Sequence, residues 1–241
     1  PTETARALDI LRQVRPERLY VASDGARPQV EGEAGRVRQC RDLIEQVDWR
    51  CEVKKNYAKH NLNCGIRPAS AMHWIFRHEP KAIIVEDDLL PDPSFFFFCE
   101  EMLEKYERSE QVMLVSGRNN LGEWHGEESY FFSRTINPWG WATWARAWKN
   151  FDFLYRGWSE KSRGVFLEIF QDEDHAAFHD YNQKAMQGRF CDTWDIQWMY
   201  SILLKKGLSI VPAKNLVRNA GFHDQATHTR FDFDMRADLE A

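Results

Sequence analysis

The chain has 241 residues, with 32 Lys and Arg against 37 Asp and Glu and a formal net charge of −5. That excludes a global positive field for a nucleic-acid backbone, so an anionic ligand has to be met by a local cluster or a metal ion. At 43% apolar and 29% charged residues the composition suits a soluble globular protein with a full core, and no run approaches the roughly 18 apolar residues of a membrane span.

In chain order, Ala7, Leu8, Leu11 and Val14 share one face of a helix over Glu3 to Val14, with Thr2 as its cap and Pro16 ending it. Leu19 to Ala22 reads as a strand broken at Ser23-Asp24-Gly25. Val37, Cys40, Ile44 and Val47 mark a second helix, and Cys51 to Lys55 a second strand. A third helix is expected from about Pro68 to His78. Ala82-Ile83-Ile84-Val85 is apolar at consecutive positions, as in a strand covered on both faces in a parallel sheet. Asp92 then caps a helix with Pro93 at its first position, and Val112 to Ser116 forms one more strand.

Helices alternating with short apolar strands predict an α/β fold with a mostly parallel, Rossmann-like sheet flanked by helices, which binds its ligand at the strand C-termini. From about Asn120 onward the pattern becomes Trp-rich, with later strands at Leu208 to Val211 and Leu216 to Arg218. No linker or repeat divides the chain, so one domain over 1–241 is expected, with halves of about 1–120 and 121–241. The five cysteines, Cys40, Cys51, Cys64, Cys99 and Cys191, are scattered without a C-x-x-C pair. They argue against a disulfide scaffold or structural zinc and for a reducing, cytoplasmic setting. The N-terminal residues have neither the basic start nor the apolar centre of a secretion signal.

The most informative tract is Ile83-Ile84-Val85-Glu86-Asp87-Asp88-Leu89-Leu90-Pro91. Three carboxylates at the end of a buried strand repel one another unless something positive sits between them. Hard oxygen donors there suit Mg²⁺ or Mn²⁺, with a substrate diphosphate completing the coordination. A solvated acidic turn is the alternative, weakened because Asp92 already supplies the helix cap. A second acidic position, Asp195 in Asp192-Thr193-Trp194-Asp195, is expected at the third position of a helix capped by Asp192 and running to Gly207. From the residues alone it is balanced between a charge stabilised by the helix dipole and a catalytic group. Trp141, Trp144 and Trp148 recur at helical spacing and read as core. Trp139 and Gly140 sit in a turn where glycine lets a substrate approach the backbone.

Taken in order, Ser23-Asp24, Glu86-Asp87-Asp88, Asn137-Pro138-Trp139-Gly140-Trp141, Thr193-Trp194-Asp195 and Ala226-Thr227-His228-Thr229 resemble the motifs of GT-A fold nucleotide-sugar glycosyltransferases. The nearest likeness is to the N-acetylglucosaminyltransferases that initiate complex N-glycan branching and to their bacterial relatives. The resemblance covers nearly the whole chain. It implies a hexosyl- or N-acetylhexosaminyl-transferase, metal-dependent and inverting, with UDP favoured as the nucleotide and a carbohydrate or glycoconjugate as acceptor. Asp88 would coordinate Mn²⁺ or Mg²⁺. Glu86 and Asp87 would face the donor sugar and ribose, Asp24 the base, and Gly65 and Arg67 the nucleotide. Trp194 and His228 would complete the nucleotide-sugar site, with His228 on a loop over the diphosphate. Asp195 would be the general base, and Trp139 and Gly140 would meet the acceptor. GT-A chains begin with a strand ahead of the first helix, and that strand is expected to be missing here. A non-catalytic carbohydrate-binding module would account for the tryptophans but not for the acidic strand end. A sugar nucleotidyltransferase would share the metal requirement but lacks a visible glycine-rich basic loop.

Overall fold

The computed structural model describes residues 1–122 and 124–220. The expected contact at His228 lies outside the described residues. Helix α1 spans Thr2–Val14 and is capped at Pro1, so Thr2 is its first residue and not its cap, and Arg15 turns the chain in the left-handed region at φ 49°. Strand β1 (Arg18–Ser23), helix α2 (Glu33–Leu43) and strand β2 (Glu52–Tyr57) form a parallel crossover unit in register from Arg18 opposite Glu52 to Ser23 opposite Tyr57. Helix α3 covers Asn63–Ile75 and starts ahead of Pro68, which lies inside it. The Asn63 side chain accepts the Gly65 and Ile66 N–H groups, each at 3.1 Å, and this cap decides where the helix begins.

Strand β3 (Lys81–Ile84), strand β4 (Leu89–Pro91) and helix α4 (Pro93–Lys105) follow. Asp92 caps α4 as expected, its carboxylate accepting the Ser94 N–H at 2.8 Å with Pro93 at the first position. Beyond it lie β5 (Val112–Ser116), β6 (Tyr130–Ser133), β7 (Trp141–Trp144), α5 (Ala145–Trp148), α6 (Ser162–Phe170), α7 (Glu173–Met186), α8 (Asp195–Leu204), β8 (Leu208–Pro212) and β9 (Val217–Asn219).

The fold is mixed α/β, and its main sheet is mixed, not mostly parallel. Five strands run in the order β3-β7-β5-β8-β6. Only β5 and β8 pair in parallel there, while β7 runs antiparallel to both β3 and β5 and β6 runs antiparallel to β8. The second half of the chain threads β7 back between two strands of the first half, which no local pattern announces. The parallel pair β1-β2 and the antiparallel pair β4-β9 form separate sheets. β3 lies at the edge of the main sheet and is partly accessible over Lys81 to Ile83, so its apolar run does not mark a strand covered on both faces.

The tryptophan run is core, but it is not one helix. Trp141 and Trp144 are in β7, whose four residues are all buried, and Trp148 is in the short α5. Alternation along the strand sends Trp141 to a cluster with Trp148, Trp194 and Trp198, and sends Ala142 and Trp144 to a second cluster with Phe95 and Leu103. The first cluster places the Trp148 and Trp198 rings 4.9 Å apart and stacks Trp141 on Trp194 at 5.3 Å. All five cysteines are free thiols. Among the described residues no helix is long and apolar enough to cross a membrane.

Candidate functional site

The acidic tract is pinned at both ends. Leu89 and Pro91 are buried in β4, the Leu89 N–H closes a turn on the Glu86 carbonyl at 3.1 Å, and the Ala220 N–H extends the β4-β9 ladder by donating to the Asp88 carbonyl at 2.8 Å. Glu86, Asp87 and Asp88 are therefore presented as a short projecting turn at the end of β3, and the chain beyond β9 departs beside Asp88. Asp87 accepts a hydrogen bond from the Thr4 hydroxyl of α1 at 3.3 Å.

The second acidic element is the start of α8. This helix begins at Asp195 itself, with Trp194 as the capping position, so Asp195 is its first residue and not its third. Asp192 does not cap it, because its carboxylate accepts the Gly65 N–H at 3.3 Å instead. At the other end the left-handed residue is Lys206, at φ 52°, while the Gly207 N–H closes on the Ile202 carbonyl at 2.9 Å. One oxygen of Asp195, Oδ1, accepts the Ile196 N–H at 2.9 Å and the Thr193 hydroxyl, which fixes the carboxylate and leaves Oδ2 outside those bonds. Thr193 is in turn held by its carbonyl, which accepts from the Gln197 side chain at 2.6 Å.

Trp194 lies beside both: it is stacked on Trp141, and its side chain is near enough to Glu86 to influence that carboxyl. Surrounding protein, then the negative charges of Asp88, Asp87 and Asp195, push the Glu86 carboxyl up to about 8, and the nearby Trp194 side chain opposes that rise. Glu86 is nonetheless an exposed residue, so the neighbouring carboxylates are the cause that an arriving cation would reverse. Cys64 lies near enough to feel these acids. Burial comes first and the charges of Asp192, Glu86 and Asp24 follow in raising its thiol.

Asp24, also near Cys64, is already engaged. Its carboxylate accepts the Gly25 N–H at 2.8 Å, the Leu62 N–H at 2.9 Å and the Asn61 amide at 3.0 Å, clamping the end of β1 to the loop before α3. Gly65 is where α3 meets the loop before α8: a Cβ there would stand 2.8 Å from the Cys191 carbonyl oxygen and 3.0 Å from the Thr193 nitrogen. Arg67 is buried, donates to the Asn56 carbonyl at 2.5 Å and ties α3 to the end of β2; burial holds its guanidinium below its usual range.

Glu86, Asp87, Asp88, Trp194 and Asp195 are thus brought together, with Asp24 and Gly65 at the border. Trp139 lies over the Arg118 guanidinium at 4.9 Å and packs on the cluster of Phe95 and Val217. Gly140 has φ 65°, and Val217 occupies the space a Cβ would take, at 2.6 Å. That is a reason for glycine which involves no approaching ligand. Lys54 and Lys55 turn away to Tyr20 and Glu45.

Sequence reasoning missed three residues. Thr193 orients Asp195, and its place two residues before that acid was the available signal. Arg118 is almost fully buried just past the end of β5, detectable as a lone basic residue after an apolar strand. Arg41 donates to the carbonyls of Asp24 at 2.8 Å and Ala58 at 2.9 Å and sits on the Tyr57 ring. On the polar face of α2 nothing distinguished it from its neighbours.

Gly65→Ala supplies a check on this geometry. In an open helix the change stabilises by about 0.4–1 kcal/mol, but here the new methyl meets backbone atoms that have to move. The expected outcome is a loss of about 1–3 kcal/mol, read as a thermal midpoint lower by roughly 2–12 °C. A midpoint at or above that of the parent would show that the two segments do not meet as described.

Among the described residues no three His, Cys, Asp or Glu side chains are grouped to hold a metal ion by themselves. The charges acting on Glu86 are all negative, which fits a cation that the protein holds by one carboxylate and a substrate completes. Comparison of the chain with known family models finds no match, and comparison with curated proteins finds none.

Proposed function

We propose that the chain is a metal-dependent, inverting GT-A type glycosyltransferase that moves a hexosyl or N-acetylhexosaminyl unit from a nucleotide-diphosphate donor, UDP favoured, to an acceptor hydroxyl. The observation that carries the reading is that Asp87 and Asp88, beside Glu86 at the end of β3, and Asp195, at the start of α8, all act on the Glu86 carboxyl. A carbohydrate-binding surface has no use for four crowded carboxylates, whereas a diphosphate donor arriving with a divalent cation neutralises them.

Asp88 is the residue assigned to Mn²⁺ or Mg²⁺, which when bound would stabilise the departing diphosphate. Asp195, fixed through Oδ1 by Thr193 and the Ile196 N–H, accepts the proton of the acceptor hydroxyl as that oxygen attacks the anomeric carbon from the face opposite the nucleotide. Glu86 faces the donor sugar, with Asp87 beside it toward the ribose. Asp24 and the segment around Gly65 frame the base. A reducing, cytoplasmic location goes with the free thiols.

The test is thermal stabilisation by UDP, GDP and CDP, each with and without Mn²⁺, followed by product analysis with UDP-sugars. The reading expects a shift with UDP that needs Mn²⁺, and UDP release without pyrophosphate. No shift with any nucleotide would return the chain to a carbohydrate-binding module, and pyrophosphate release would make it a nucleotidyltransferase.

A further inference from the structure

The main sheet ends on β3 at one side and on β6 at the other. An open edge strand offers unpaired backbone groups to another chain unless charge or cover blunts it. β3 carries Lys81, which is paired with Glu104 at 2.6 Å. β6 reads Tyr130-Phe131-Phe132-Ser133, without a charge, and Phe132 is 45% exposed.

Which groups of β6 face outward follows from its pairing with β8. Tyr130 lies opposite Pro212, which has no N–H, and the Ala213 N–H donates to the Ser129 carbonyl at 2.9 Å. Tyr130 and Pro212 are therefore a non-hydrogen-bonded pair. The N–H and carbonyl of Tyr130 point away from β8, as do those of Phe132 two residues on, and among the described residues no strand pairs with them. The side chains are set as well. Tyr130 and Phe132 share one face, each ring edge to face with Tyr106, and Lys105 donates to the Tyr130 hydroxyl at 2.8 Å. Phe131 points to the other face and stacks on Trp124 at 4.5 Å.

A second copy of the same edge fits it antiparallel, across a twofold axis at Tyr130, Phe131 or Phe132. With the axis at Tyr130, Phe132 meets Glu128 of the second copy; with the axis at Phe132, Tyr130 meets Arg134. With the axis at Phe131, the outward groups of Tyr130 bond those of Phe132 on both sides of the axis, Phe131 faces itself, and Glu128 faces Arg134 at both ends. Aromatic rings and opposite charges set directly across an antiparallel pair stabilise it, so the axis at Phe131 is the complementary arrangement. Glu128 is exposed, and Arg134 is steadied at the strand end by donating one nitrogen to the Lys206 carbonyl at 2.6 Å.

We propose that β6 is a dimerisation edge, pairing with β6 of a second copy antiparallel about Phe131 and carrying the five-stranded sheet through both. The proposal rests on this edge and not on the reading of the acidic residues.

The test follows the mass of the whole chain by light scattering and sedimentation from micromolar to submillimolar concentration, where a dimer is expected. Glu128→Arg sets arginine against arginine at both ends and is expected to weaken the dimer at least tenfold. Adding Arg134→Glu to it restores opposite charges and is expected to recover the dimer, a rescue that damage to the fold would not produce. Phe131→Cys is expected to cross-link on oxidation through position 131 of both copies, located by peptide mapping, because non-hydrogen-bonded partners stand within disulfide reach. If the double variant fails to fold, the cross-link gives the same reading. A monomer at every concentration would leave the edge to another occupant, such as an extended peptide, and overturn the proposal. So would a dimer indifferent to Glu128→Arg, a folded double variant that stays monomeric, or no cross-link at position 131.

Discussion

Asp195→Asn is expected to lower turnover by roughly 10²–10⁴-fold, the range a positioned general base supplies, while the fold and the donor affinity stay close to those of the parent. The amide keeps an oxygen for the bonds that Oδ1 receives from the Ile196 N–H and the Thr193 hydroxyl, so the side chain stays in place. What it loses is the ability to take a proton. A purely structural Asp195 would give a different result. Its charge at the first position of α8 interacts with the helix dipole for about 0.3–1 kcal/mol, so the variant would lose a little stability and no activity. Initial rates of UDP-sugar consumption with acceptor, set beside the nucleotide-induced thermal shift, separate the two. Undiminished turnover in the Asn variant would end the assignment of Asp195 as base. Thr193→Val extends the reasoning, since removing the hydroxyl frees the carboxylate without removing it, and an intermediate loss of rate is expected.

The largest effect on stability should come from Trp198→Ala. Trp198 is fully buried, with ring centroids 4.9 Å from Trp148 and 6.4 Å from both Trp141 and Phe151. Truncating a buried tryptophan costs about 3–5 kcal/mol in lost transfer energy and residual cavity. For a chain of this size that lowers the thermal midpoint by roughly 6–20 °C. Trp198→Phe should cost clearly less, because the Trp198 indole N–H has no protein acceptor and the substitution forfeits volume but no hydrogen bond. Chemical denaturation of the two variants beside the parent measures both. A loss of 1 kcal/mol or less in the Ala variant would show that the aromatic cluster is not the keystone of this half. The cluster also reaches the acidic residues: Trp198 lies one turn beyond Asp195 on α8, and Trp141 stacks on Trp194, the residue before Asp195.

Where a few neighbouring residues set the outcome, the structure was legible in advance. The Asp92-Pro93 start of α4, the strands at Leu19 to Ala22 and Val112 to Ser116, and the core role of Trp141, Trp144 and Trp148 all follow from caps, short apolar runs and large apolar surface. Reading failed where distant segments compete. Trp141, Trp144 and Trp148 have helical spacing, yet pairing with β3 and β5 draws the first two into β7. Asn63 moves the start of α3 ahead of Pro68 by offering its backbone a side-chain acceptor.

The same division runs through the candidate site. The sequence by itself determined which groups are available: three consecutive acids after an apolar strand, an acid following Thr193-Trp194, and a net charge of −5 that leaves an anionic ligand dependent on a local cation. Only the tertiary structure decided that Asp195 comes near enough to act on Glu86, that Thr193 steadies Asp195, and that Gly65 is glycine because two backbones meet there. The physical reason is range. Capping and strand-forming preferences act over a few residues along the chain, whereas a raised carboxyl such as that of Glu86 combines surrounding protein with charges from the turn after β3 and from α8, whose meeting depends on how the sheet closes.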